Sequence, residues 1–192
     1  SGTIEGQLIN GTAGGSSVAD VEVYLKTFTD IETGNLTTKT RSDGKFTFSS
    51  LSIMPPNTYK IFLTYQNAEY LGDNISFVHG QTSKSANITV YDSTTSDASI
   101  KIKTAHTIIN MGQGTLNIMV MYDFINDTDR AYVGNLTFSL PPEAIEIEYG
   151  YGLVAGNIIS GTDGFVDTKA TLLPKGKEIS REIIYYYNVP YT

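Results

Sequence analysis

The segment "TRSDGKFTFSSL", residues 40–51, gives the clearest indication of the fold. Asp43-Gly44 is a hairpin signal, because aspartate and glycine adopt the backbone conformations of a tight turn at low cost. Phe46 and Phe48 follow two residues apart, and alternate side chains of a strand point to the same face. The segment therefore predicts a tight turn followed by a strand with one buried face.

Short alternating segments of the same kind continue along the whole chain. In the first half they place apolar residues at Ile4 and Leu8, Val21, Val23 and Leu25, Tyr59, Ile61, Leu63 and Tyr65, and Ile88 and Val90. In the second half the alternating segments are 116–124, 136–140, 145–149, 166–173 and 179–191. No segment keeps a helical period of 3.6 residues over about ten residues, so we expect almost no helix.

A polar segment, "DSTTSDAS" at residues 92–99, separates the two halves and has no apolar periodicity. We therefore predict an all-β chain with two Ig-like or transthyretin-like β-sandwich domains in tandem. The predicted domains are residues 1–93 and 100–192, and residues 94–99 are the predicted linker.

The first half also resembles a known family. The segments that carry the resemblance are GTIEGQLING (2–11), VADVEVYLKT (18–27), TKTRSDGKFTFSSL (38–51) and YKIFLTY (59–65). Together they resemble a carboxypeptidase regulatory-like domain, which is a β-sandwich of secreted and surface proteins. The resemblance implies a non-catalytic accessory, spacer or adhesion module. The second half resembles, more weakly, the β-domains that follow such modules.

Composition narrows the possible partners. The 192 residues carry a formal net charge of −7, with 13 basic residues scattered along the chain. Binding to nucleic acid requires clustered lysine and arginine, so we expect no nucleic-acid partner. The chain has no cysteine, which excludes disulfides, thiol catalysis and thiolate metal sites. No apolar run is long enough for a membrane-spanning helix.

Asn-X-Ser/Thr triplets are frequent and suggest glycosylation. Six occur, at Asn10, Asn35, Asn74, Asn87, Asn126 and Asn135. The alternation of polar and apolar residues on a half-buried strand is a second explanation for them. Attached glycans would place the protein outside the cell, so we expect an extracellular or cell-surface location.

The sequence shows no catalytic constellation, and we expect a non-enzymatic protein without a resident cofactor. His79 and His106 lie in different halves, and the parity of His106 with Ile102 and Ile108 predicts an inward side chain. One acidic cluster has residues of the kind that bind calcium, an ion that takes six to eight oxygen ligands. It consists of Asp123, Asn126, Asp127 and Asp129. The cluster lacks the glycine and the distal glutamate of an EF-hand loop, so a solvated turn is the favoured interpretation.

Tyrosines are the residues most suited to surface contact. The sequence has 13 of them, and Tyr149 and Tyr151 flank glycines in "EYGYG". Exposed aromatic side chains stack on sugar rings or anchor protein interfaces. We predict Tyr149 and Tyr151 to be exposed contacts of this kind.

Both ends of the sequence are strand-like, which suggests pairing between subunits. The candidate inter-subunit residues are Ile4, Leu8, Ile183, Ile184, Tyr185, Tyr186, Tyr187 and Val189. This pattern favours a glycosylated structural subunit of a surface filament or sheath, with the protein itself or other surface proteins as partners through strand pairing or donation. The alternative is a monomeric carbohydrate-binding or adhesive module.

Overall fold

The computed structural model of the protein describes residues 1–174, 176 and 181–191. The fold is all-β, as the sequence predicts. Within the described residues, the one regular element that is not a strand is a 3₁₀ turn at Ala155–Asn157. The chain divides into two compact units, Ser1–Ser93 and Thr94–Thr192. Among the described residues there is no helix long and apolar enough to cross a membrane.

The first unit, whose residues are all described, contains seven strands in two sheets. They are β1 (Gly2–Asn10), β2 (Glu22–Phe28), β3 (Glu32–Lys39), β4 (Lys45–Leu51), β5 (Thr58–Tyr65), β6 (Ala68–Ile75) and β7 (Ser83–Val90). One sheet has the order β4-β1-β7, and the other has the order β3-β2-β5-β6. Strand β1 is antiparallel to β4 and parallel to β7. The alternating apolar residues of the sequence form the core, where Ile4, Leu25 and Ile61 are fully buried.

The Asp43-Gly44 turn forms as predicted, but it is not a hairpin within one sheet. Gly44 has a φ of +79°, and its N–H donates to the carbonyl of Arg41 at 2.9 Å. The Lys45 N–H donates to Asp43 Oδ1 at 3.0 Å. Strands β3 and β4, which the turn connects, belong to different sheets. The turn therefore leads the chain from one layer of the sandwich to the other.

Asp92 forms a buried polar centre in the first unit, although the sequence places it in a polar segment. Its carboxylate accepts hydrogen bonds from the side chains of Asn10 (2.8 Å), Ser16 (3.0 Å) and Tyr65 (3.1 Å). Burial alone would raise the pKa of Asp92, but these hydrogen bonds outweigh it and hold the pKa below its usual value. The centre ties the loop after β1 to the end of the unit.

The second unit is also a two-sheet sandwich. Its strands are β8 (Ser93–Thr94, which begins at the last residue of the first unit), β9 (Ile100–Met111), β10 (Thr115–Asn126), β11 (Ala131–Ser139), β12 (Ile145–Tyr149), β13 (Ile158–Gly161), β14 (Gly164–Leu172) and β15 (Arg181–Pro190). The sheet orders are β12-β15-β10-β9 and β13-β14-β11-β8. The predicted strand 179–191 begins with two residues, 179 and 180, that lie outside the described residues.

Aromatic rings fill the core of the second unit. Phe138 stacks on Phe165 with ring centroids 4.8 Å apart, and Tyr185 meets the edges of both rings at 5.7 and 5.1 Å. Beside them the buried carboxylate of Asp167 pairs with the Arg181 guanidinium at 2.9 Å. These contacts fix the inward side of β15 and leave its other side for the surface.

Candidate functional site

The outer face of the sheet β12-β15-β10-β9 carries the most distinctive surface of the second unit. Residues directly opposite on neighbouring strands share a face and contact each other. The ladder places Tyr186 opposite both Glu148 and Met119, and Met119 opposite Ile108. This first row crosses all four strands and, at about 4.8 Å per strand, spans roughly 14 Å.

A second row runs beside the first and consists of amides. Asn117 of β10 lies opposite Asn188 of β15 on one side and Asn110 of β9 on the other. At the β12 end the Asn188 Nδ2 donates to Glu146 Oε2 at 2.6 Å. Glu146 reaches this position at an irregularity of the β12–β15 pairing, where its φ is +53°. The row is therefore a line of three amides that ends at a carboxylate.

The two rows line an open groove of about 510 Å³. Tyr186 is 40% exposed and Ile108 is 48% exposed, so both offer apolar surface to the solvent. Residues of both rows line the groove: Ile108, Asn110, Asn117, Met119, Glu146, Glu148, Tyr186 and Asn188. The groove thus places one aromatic and two aliphatic side chains beside amide donors and acceptors and two carboxylates.

This combination suits a ligand with both apolar and hydroxyl surfaces. An exposed tyrosine ring packs against an apolar ligand face. Each asparagine amide offers two donors and an acceptor, and each ionised glutamate accepts hydrogen bonds. Binding sites commonly combine apolar contact area with a few placed polar groups in this way.

The strands predicted to join subunits are interior strands of their own units, and this contradicts the prediction. Strand β1 is paired with β4 and β7, and β15 is paired with β10 and β12, so neither has a free edge. Ile4, Leu8, Ile183 and Tyr185 lie in the cores, and Tyr187 and Val189 pack against the core of the second unit. Ile184 and Tyr186 lie on the outer face. The apolar ends of the chain are explained by burial.

Two of the six predicted glycosylation sites are structural asparagines. Asn126 is 1% exposed, and its Nδ2 donates to the carbonyls of Arg130 at 2.7 Å and Leu172 at 3.0 Å. The prediction of a glycan at Asn126 is therefore wrong for the folded protein. Asn10 is half-buried and bound to Asp92, which leaves no room for a glycan on its amide. The four remaining sites are exposed, at Asn35, Asn74, Asn87 and Asn135.

The two predicted contact tyrosines differ. Tyr149 packs edge-on against Phe165 with centroids 5.0 Å apart, and its hydroxyl lies 2.8 Å from Ser160 Oγ, so the prediction that it is an exposed contact is wrong. It faces inward because β12 places it opposite the buried Tyr185. Tyr151 is 70% exposed in the turn after β12.

The acidic cluster does not converge. Asp127 Oδ2 pairs with Lys101 Nζ at 2.7 Å, Asp123 Oδ2 faces Lys103 Nζ at 3.7 Å, and the Asn126 side chain is directed into the core. Within the described residues no group of three histidine, cysteine, aspartate or glutamate side chains could hold a metal ion. The interpretation of Asp123, Asp127 and Asp129 as a calcium site is therefore not supported.

His106 is on the outer face and exposed, which corrects the inward side chain predicted from parity. The register of β9 against β10 shifts between Asp123 and Phe124, so that Ile102 and His106 fall on opposite faces. One extra residue in a strand reverses the parity beyond it. The amide row was also missed, although its members Asn110, Asn117 and Asn188 can be recognised in the sequence as polar residues within apolar strands.

Comparison with known proteins gives no assignment of family. No protein-family model matches the chain, and no curated protein matches it significantly. The resemblance of the first half to a carboxypeptidase regulatory-like domain therefore stays an expectation.

Several solved structures resemble the chain. A DUF3823 family protein from Bacteroides ovatus has 17% identity and a TM-score of 0.34, with 100% of both chains covered. A Bacteroides uniformis protein with a presumed carbohydrate-binding role has 12% identity and a TM-score of 0.31 over 98% of this chain and 79% of its own. The Corynebacterium diphtheriae major pilin SpaA has 12% identity and a TM-score of 0.27 over 100% of this chain and 59% of its own. All three TM-scores are below 0.5.

Proposed function

We propose that this protein is a non-enzymatic β-protein of the cell surface whose second unit binds a carbohydrate chain on its outer face. The observation that supports the proposal is the pair of cross-strand rows, in which an exposed Tyr186 lies beside the amides of Asn117 and Asn188. A sugar ring has an apolar face of C–H groups for the tyrosine and equatorial hydroxyls for the amides. Glu146 and Glu148 add acceptors for further hydroxyls.

The surface location and glycans at the four exposed sequons are part of the same proposal. They are supported by the exposure of Asn35, Asn74, Asn87 and Asn135. Filament formation through β1 or β15 is not proposed further, because both strands are paired on both sides.

Binding to an immobilised array of plant, bacterial and host polysaccharides tests the proposal. We expect binding to at least one class of polysaccharide and a loss of about tenfold or more in affinity with Tyr186→Ala, about 1.4 kcal/mol. Asn117→Ala should weaken binding as well, because the amide row loses its central member.

Tyr151→Ala is the matched control, since Tyr151 is 70% exposed but does not line the groove. It should bind as the unmodified protein does. Loss of binding with Tyr151→Ala but not with Tyr186→Ala would place the ligand at the turn and contradict the proposal. Release of reducing sugar from the bound polysaccharide would contradict its non-enzymatic part.

A further inference from the structure

Strand β9 is a long, exposed edge strand. It has 12 residues, and among the described residues only β10 pairs with it. Residues 105–111 are all exposed, and the exposed fractions of Ile109 and Met111 are 56% and 80%. Exposed apolar edge strands are templates for pairing with another chain, and natural proteins usually protect them.

Protection is present at only one end of β9. Lys101 and Lys103 lie near its beginning, next to the register shift, and pair with Asp127 and Asp123. Lysines and bulges are common protective features of edge strands. The remaining stretch, residues 104–111, has no lysine, arginine, aspartate or glutamate.

The backbone groups that face the free edge can be assigned from the hairpin. The Gly112 N–H donates to the Thr115 carbonyl at 2.7 Å, so this closing pair is hydrogen-bonded. Hydrogen-bonded and non-hydrogen-bonded pairs alternate along an antiparallel ladder, and the register is unbroken from Met111 back to Thr104. The residues whose N–H and C=O groups face the free edge are therefore Ala105, Thr107, Ile109 and Met111.

These four residues lie symmetrically about Ile108, and the stretch 104–111 carries no lysine, arginine, aspartate or glutamate, so two copies of it can pair about a two-fold axis without bringing like charges together. We propose that β9 pairs with β9 of a second copy of this chain, antiparallel, about a two-fold axis at Ile108. Ala105 then lies opposite Met111 of the other copy, and Thr107 lies opposite Ile109. Every free N–H and C=O of the stretch finds a partner, and no like charges meet, since Lys101 and Lys103 lie beyond the paired residues.

The side-chain pairs are also compatible. On one face the large exposed Ile109 and Met111 meet the smaller Thr107 and Ala105 of the other copy. On the outer face Ile108 meets its own counterpart. An isologous contact of this kind closes on itself, so it gives a dimer and not a fibre. Because Ile108 and Asn110 line the groove, the dimer joins two grooves into one continuous face.

Cysteine crosslinking tests the register directly, because the chain has no cysteine of its own. At the axis, Ile108 forms a non-hydrogen-bonded pair with its counterpart, for which the Cα–Cα distance is about 4.5 Å. This distance lies within the range of a disulfide. Ile108→Cys should therefore give a covalent dimer on mild oxidation. Asn110→Cys, on the same face but opposite His106, should remain mostly monomeric under the same conditions.

Sedimentation of the cysteine-free chain supplies the second measurement. We expect a reversible dimer, and a dissociation constant raised at least tenfold by Ile109→Lys. Leu36→Lys is the matched control, because Leu36 is 45% exposed on β3, an edge strand of the first unit. A monomer at all concentrations, equal crosslinking of both cysteine variants, or a dimer broken by Leu36→Lys but not by Ile109→Lys would each overturn the inference. None of these results depends on carbohydrate binding.

Discussion

Tyr185 and Tyr186 are neighbours in β15 that face opposite sides, and replacing each with alanine should have opposite consequences. Tyr185 is 2% exposed and contacts the rings of Phe138 and Phe165. A buried aromatic side chain covers roughly 150–250 Å², and burial contributes roughly 25 cal/mol per Å². Tyr185→Ala should therefore reduce the free energy of unfolding by about 4 kcal/mol, in the usual range for a large-to-small core change.

Tyr186→Ala should reduce the free energy of unfolding much less, because Tyr186 is already 40% exposed and water fills the space that its side chain leaves on the outer face. We expect a loss of about 1–2 kcal/mol. The loss of β-propensity is common to both variants, since the substitution and the strand are the same. Tyr186→Ala should instead abolish most of the carbohydrate binding.

Urea unfolding followed by circular dichroism measures both values, and the polysaccharide array measures binding. Equal destabilisation by the two substitutions would refute the assignment of an inner and an outer side to β15. Unchanged binding by Tyr186→Ala would refute the role of Tyr186 in the groove, whatever its effect on stability.

Four further predictions concern buried polar groups. Arg181→Met leaves the Asp167 carboxylate buried without its cation and should lower the free energy of unfolding, measured with urea, by about 3–5 kcal/mol. Adding Asp167→Asn should restore part of this loss. The pKa of Asp92 is lower in the folded state, so the ionised carboxylate stabilises the fold at neutral pH, and this stabilisation is lost as the pH falls below about 4. The urea midpoint of Asp92→Asn should therefore decline less steeply with acid than that of the unmodified protein. Burial, and to a smaller extent the neighbouring Tyr122, raise the pKa of Tyr185. The neutral hydroxyl therefore stabilises the fold below a pH of about 10, and this stabilisation is lost as the pH rises further. Tyr185→Phe should flatten the decline of the urea midpoint at alkaline pH. Asn126→Asp places a carboxylate against two carbonyls and should cost about 2–4 kcal/mol by thermal or urea unfolding, whereas the same change at the exposed Asn135 should cost little.

The sequence predicts the fold well where one face of a strand is buried. The alternation at Tyr59, Ile61, Leu63 and Tyr65 is reproduced as the inward face of β5, because apolar burial fixes the register of a strand. The Asp43-Gly44 turn is also predictable, since its conformation depends on local residues. The sheet that each flanking strand joins is decided by contacts between residues distant in the sequence. The interpretation of Asp43-Gly44 as a hairpin within one sheet is incorrect for that reason.

The candidate site was less predictable, because it depends on strand order and on local irregularities. Asn110, Asn117 and Asn188 are distant in the sequence, and only the order β15-β10-β9 brings them into one row. The register shift near Asp123 reverses the facing of His106, and no periodic pattern shows it. The apolar end of the chain is evident in the sequence, but burial within a unit and pairing between subunits leave the same apolar pattern in a sequence.

The most direct test of the central claim is to map ligand contacts on the folded protein by NMR. The ¹⁵N-labelled chain is titrated with a soluble oligosaccharide of the class that binds best on the array, and backbone amide shifts are followed. We predict that the perturbed amides cluster in the two rows, at Asn117, Met119, Tyr186 and Asn188, with little change in the first unit. Perturbations that cluster at the Tyr151 turn or in the first unit, or no perturbation at the highest oligosaccharide concentration, would contradict a binding site on this face.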